Sequence, residues 1–141
     1  MEFMLIIAFS LIMLFSIVNL LYSEYNERKE DLDASQTRQV LQNIAVAAQR
    51  AYYDGYPSRT TLELFFPKGI KAIKSDSTIM GNLVKSEITF TVVQGELEND
   101  IVVAFPFNTS TDLSTEEGKR NILIKVEQQS DNIYVNITQS T

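Results

Sequence analysis

Neither glycine nor proline interrupts the chain before Gly55, and no charge stands between Glu2 and Glu24. Glycine and proline are the usual helix breakers, so their absence leaves a helix free to run through this whole stretch. From Phe3 to Tyr22 the polar residues are Ser10, Ser16 and Asn19. Twenty helical residues span about 30 Å, the thickness of a bilayer's hydrocarbon core. A cleaved secretory signal has a shorter apolar stretch followed by a small-residue cleavage site. Here the apolar part is longer and no A-x-A pattern follows it. Tyr22 and Tyr25 close the run, where aromatic rings favour a membrane interface.

The helical pattern continues past that edge. "SEYNERKEDLDASQTR" is polar nearly all round, as a solvated helix is. Leu41, Ile44, Ala45, Ala48, Ala51 and Tyr52 then recur at three- and four-residue spacing, an apolar stripe on one face. One helix is therefore expected over residues 1–53, about 80 Å long at 1.5 Å per residue. Residues 1–22 form its apolar membrane or filament-core part, and residues 23–53 form an amphipathic stalk.

After "YDGYPSR", a turn signal, the pattern changes to β. "TLELFF", "IKAIK" and "STIMGNLV" read as short strands, with Gly81-Asn82 as a turn. In "EITFTVV", Ile88, Phe90 and Val92 point one way, the mark of a half-buried strand. "QGELEND" reads as a polar hairpin loop. "IVVAF" reads as a central strand ended by Pro106. "NILIKVE" and "NIYVNIT" flank "QQSD" as a closing hairpin. The expected fold class is α+β: a long N-terminal α-helix followed by a small antiparallel β-domain over residues 54–141.

Composition narrows the chemistry. Among 141 residues there is no cysteine and no histidine. Disulfides and thiolate chemistry are excluded, and with histidine go the commonest general base and metal ligand. The net charge of −6 argues against nucleic acid as a partner. Carboxylates cluster at Glu96, Glu98 and Asp100 and again at Glu116 and Glu117, but the spacing does not match a calcium-binding loop. Solvated turns are expected there. Nothing matches a nucleophile elbow, a phosphate loop or a zinc-binding helix. No catalytic residue, cofactor or metal site is expected.

Two Asn-x-Ser/Thr sequons stand in the β region. Asn108 begins "NTS" in a polar loop. Asn136 begins "NIT" in the last strand, where Ile133, Val135 and Ile137 would be buried and Tyr134, Asn136 and Thr138 would face outward. Both are candidate glycosylation sites.

Glu2 remains. At a membrane surface it would sit on the positive end of its own helix dipole. In a bundle of like helices an unpaired carboxylate is expensive, so it would need a positive partner such as an N-terminal amine.

"MEFMLIIAFSLIMLF" resembles the N-terminal segment of archaeal type IV pilins processed at a class III signal. That core reads Q-x-S-x-E-F and leads into an apolar helix. Of it this chain holds Glu2 and Phe3. The resemblance implies a self-assembling subunit whose apolar helix leaves lipid and packs among its copies. The side chains implied in assembly are Glu2, Phe3, Leu5, Ile6, Ala8, Phe9, Ser10, Ile12, Met13, Phe15, Ser16, Ile17 and Leu20. Ala8, Ser10 and Ser16 are the small ones that let helices approach. A prepilin peptidase and an ATPase-driven assembly platform are the implied partners, and an adhesive filament outside the cell is the implied product. Two other readings are a membrane-anchored extracytoplasmic β-domain that does not polymerise, such as an archaellum accessory subunit, and an exported enzyme on a tether.

Overall fold

The computed structural model describes residues 2–80, 83–129 and 132–140, apart from the side chains of Glu2, Glu30, Ile79, Met80 and Leu83. The elements are α1 (Glu2–Asp54), β1 (Ser58–Phe66), β2 (Ile70–Met80), β3 (Leu83–Gln94), β4 (Leu97–Phe105), β5 (Asn108–Asp112), β6 (Gly118–Gln129) and β7 (Asn132–Ser140). One long helix followed by β-sheets is the mixed α+β fold expected from the sequence. The helix stops where the sequence first offers a glycine. Gly55 takes φ 79°, and its N–H donates to the Tyr52 carbonyl at 3.1 Å. A left-handed glycine after the last turn is a common helix terminator.

Two compact units divide the chain inside α1, at Met1–Leu32 and Asp33–Thr141. The first is helix alone. Among its described residues, the apolar side chains make no core of their own.

The second unit holds the core. Its strands form a four-stranded sheet in the order β1-β6-β7-β5 and a three-stranded sheet in the order β2-β3-β4. Leu41, Ile44, Ala48 and Ala51 from the helix are fully buried. They share one cluster with Ile122, Ile124, Val135 and Ile137 of the first sheet and Ile88, Phe90 and Phe105 of the second. Each fully buried leucine, isoleucine, valine or phenylalanine side chain stabilises by about 1.5–3 kcal/mol relative to exposure. Tyr52 stacks on Phe107, with ring centroids 4.3 Å apart and planes at 13°. The buried stripe also takes in Thr37, whose hydroxyl donates to the Asp33 carbonyl at 2.8 Å. That bond within the helix lets a polar side chain sit in an apolar wall.

Several strand expectations change. "IKAIK" and "STIM" are one strand, β2, joined through Ser75 and Asp76 because β3 pairs along its length, Ser75 with Ile88 and Asp76 with Glu87. The expected turn residues Gly81 and Asn82 lie outside the described residues, as do Ser130 and Asp131 of "QQSD". "QGELEND" is not a seven-residue loop. Gln94 pairs with Leu97, so the turn is Gly95-Glu96 alone, with Gly95 at φ 59°. Positive φ at that position is what tight hairpin turns need. "IVVAF" lies in β4, an edge strand rather than a central one. Its residues alternate instead of all being buried, with Phe105 in the core and Val102 49% exposed. The polar loop after Phe107 contains a strand, β5, which pairs with β7 in parallel. Ile133, expected in the core, is 38% exposed, because it precedes the part of β7 that covers the cluster.

Candidate functional site

Two regions could carry function: the apolar part of α1 and the surface around β5 and β7. In the first, the large side chains from Phe3 to Leu21 are exposed, from 47% at Ile7 to 80% at Met4. They cover the helix all round rather than along one stripe. Such a helix is at home in lipid or among other apolar helices, since either satisfies its backbone and keeps its side chains from water. The helix is long and apolar enough to cross a membrane. The candidate assembly residues Phe3, Leu5, Ile6, Phe9, Ile12, Met13, Phe15, Ile17 and Leu20 all belong to this exposed set.

Ser16 donates its hydroxyl to the Ile12 carbonyl at 3.0 Å. Its polar group is therefore already satisfied inside its own helix. What Ser16 offers a neighbour is small size. Glu2 opens the helix, but its side chain lies outside the described residues, as does Met1.

The second region is built by the inter-strand register. Asn108 pairs with Tyr134 and Ser110 with Asn136 along the parallel β5–β7 ladder. Lys125 pairs with Asn136 across β6–β7. Val135 and Ile137 are buried, so Tyr134, Asn136 and their partners occupy the opposite, outer face. The two sequon asparagines thus sit on neighbouring strands of one face. Both are half-buried, and Asn108 is a strand residue rather than a loop residue.

Beside β5 opens a cleft of about 530 Å³. Ser77 of β2, Asn108, Thr109 and Ser110 of β5, Gln129 of β6, and Asn132 and Tyr134 of β7 line it. The Tyr134 hydroxyl donates to Glu127 Oε2 at 2.7 Å. That hydrogen bond, with partial burial and the nearby negative charge, raises the phenol's pKa above its ordinary value.

Ser86 ties the cleft's walls together. It is fully buried, accepts the Thr109 N–H at 3.0 Å and bonds the Ser77 hydroxyl at 2.9 Å. This one hydroxyl connects β3, β2 and β5, and hence the two sheets. The sequence reading passed over it. The signal was the alternation itself, which puts Ser86 in phase with Ile88, Phe90 and Val92.

Two of the three acids of "ELEND" are occupied by partners on other strands. Glu98 pairs with Lys71, and Asp100 accepts from the Thr91 hydroxyl at 2.7 Å. Among the described residues no three acidic side chains converge on a metal-sized site. Comparisons with known protein families, with curated proteins and with solved structures find no match.

Proposed function

We propose that this chain is the structural subunit of an extracellular filament of the archaeal type IV pilus kind, assembled through its N-terminal apolar helix and serving adhesion. The observation that carries the reading is the all-round exposure of the uncharged segment from Phe3 to Leu21. Burying it among copies of itself would remove from water a surface that the chain does not cover alone. The subunit would wait in the membrane, be trimmed by a prepilin peptidase and be polymerised by an ATPase-driven platform. The β unit would then carry the filament's outer surface, with Asn108 and Asn136 as glycan sites. The role is structural, with no catalysis, cofactor or nucleic acid.

The second reading is a membrane-anchored β-domain protein that does not polymerise, because lipid covers the same segment equally well. Negative-stain electron microscopy of material sheared from cells expressing the chain separates the two. Filaments labelled by an antibody to the β unit support the subunit. Quantitative recovery of the chain in membranes, with no labelled filament, would leave only the anchor.

A further inference from the structure

We propose that the cleft beside β5 binds a neutral sugar ring. Its lining is of one chemical kind. Asn108, Gln129 and Asn132 supply carboxamides, Ser77 and Ser110 supply hydroxyls, and Tyr134 supplies an aromatic ring. None of these lining residues is charged. Carboxamides and hydroxyls both donate and accept hydrogen bonds, as the adjacent hydroxyls of a sugar do. The tyrosine ring offers an apolar face for the sugar's C–H groups, and its bond to Glu127 fixes where that face lies. An apolar ligand would strip water from the amides without replacing their hydrogen bonds. An anion would meet no cation among the described lining residues and would approach a chain of net charge −6. The volume lies in the range of small-ligand sites.

The cleft is also framed by residues of hydrogen-bonded strands. Its residues come from both sheets, which Ser86 links through the Thr109 N–H, while its bond to Ser77 lies within the three-stranded sheet. The proposal does not depend on filament assembly.

The same sugar chemistry has two sources. Asn108 opens a sequon and lines the cleft itself. A glycan attached there would place its first ring against Tyr134. An unmodified Asn108 leaves the cleft open to sugars of another surface.

The test uses the full chain, made in a host without N-glycosylation and held in a detergent that carries no sugar. Methyl glycosides of glucose, galactose, mannose and N-acetylglucosamine are titrated, with saturation-transfer NMR and calorimetry as readouts and glucuronate as the charged control. At least one neutral glycoside should bind, and Tyr134→Ala should weaken it about tenfold or more. The exposed helix variant Tyr53→Ala should stay within about twofold of the parent. If Tyr134→Ala does not fold, the exposed Gln129→Ala replaces it and should also weaken binding. The source follows from native protein. Weaker binding there, restored by deglycosylation, identifies the Asn108 glycan as the occupant; equal binding identifies foreign sugar. The proposal is overturned if none of the four glycosides binds the unmodified chain, if glucuronate binds as tightly, or if neither cleft variant alters binding.

Discussion

The hydroxyl of Ser86 accepts the backbone N–H of Thr109 at 3.0 Å, from the middle of one sheet to the edge strand of the other. Edge strands usually spend one row of backbone donors on water. Here one such donor is spent on a buried side chain, and the sheets are joined by a bond that neither ladder supplies.

Ser86→Ala should therefore cost more than a surface serine. It leaves the buried Thr109 N–H without its acceptor, a loss of about 1–3 kcal/mol. Denaturant unfolding of the full chain in detergent, followed by near-ultraviolet circular dichroism, gives the number. A loss below about 0.5 kcal/mol, the level of an ordinary surface change, would show that the bond does not join the sheets.

Thr109→Val should act in the opposite direction. Among the described residues, Thr109 Oγ1 is a buried oxygen with no hydrogen-bond partner. Replacing it with a methyl of the same shape removes a desolvated polar group, so stability should hold or rise by up to about 1 kcal/mol. The sequon survives, because its middle position accepts any residue but proline. Marked destabilisation in the same unfolding assay would mean that this hydroxyl has a partner, such as a buried water.

Tyr134 gives a pH dependence with a definite sign. Its phenol pKa is raised, chiefly by the hydrogen bond to Glu127. A raised folded-state pKa means that the native chain holds this proton more tightly than the unfolded chain. The resulting stability is complete below the unfolded phenol value of about 10 and is lost as pH climbs through the folded one. Tyr134→Phe should flatten the fall in stability on the alkaline side of pH 10 and leave the neutral region without a new slope. Identical alkaline limbs in parent and variant would refute the assignment.

Glu2→Leu should leave the chain made and membrane-inserted but reduce filament yield. Insertion depends on the apolar run, which the change does not weaken. In the filament reading, an incoming helix loses its carboxylate partner for a neighbour's amine, an interaction whose net worth desolvation holds well below its Coulomb term. If Glu2 only faces its own helix dipole, its loss costs about 1 kcal/mol or less, too little to stop assembly. Membrane fractionation beside filament counts decides it, and a normal yield of filaments would reduce the acid to a helix cap.

A fragment beginning at Asp33 should fold in water, whereas one beginning at Gly55 should not. The longer fragment keeps Leu41, Ile44, Ala48 and Ala51 in the core. The shorter one loses all four, and two buried aliphatics at about 1.5–3 kcal/mol each already rival a typical domain's net stability. Heteronuclear NMR of both fragments shows the outcome. A dispersed spectrum from the shorter one would mean that the sheets stand without the helix.

The helix and its buried stripe were legible because glycine, proline and charge are absent where they would have interrupted it, and because Leu41, Ile44 and Ala48 keep a helical spacing. β3 was legible for the same kind of reason, its apolar residues alternating cleanly. β5 was not. "NTSTD" has no apolar phase, and its strand geometry comes from pairing with β7, which lies more than twenty residues on. The charged start of β4 read as loop because Glu98 and Asp100 occupy the outward positions of an edge strand, where water and cross-strand partners accept them. The cleft was hidden for a related reason. Ser77, Asn108, Gln129 and Tyr134 come from four strands, and only the register brings them together.

The strand order also fixes a sequence of events. β1 has no ladder until β6 has been made, and β5 has none until β7 has been made. The four-stranded sheet therefore cannot close before the ribosome has passed residues 118–140. By then the segment from Phe3 to Leu21 has long since left the exit tunnel. Whatever covers that segment therefore meets a nascent chain whose four-stranded sheet is still unfinished.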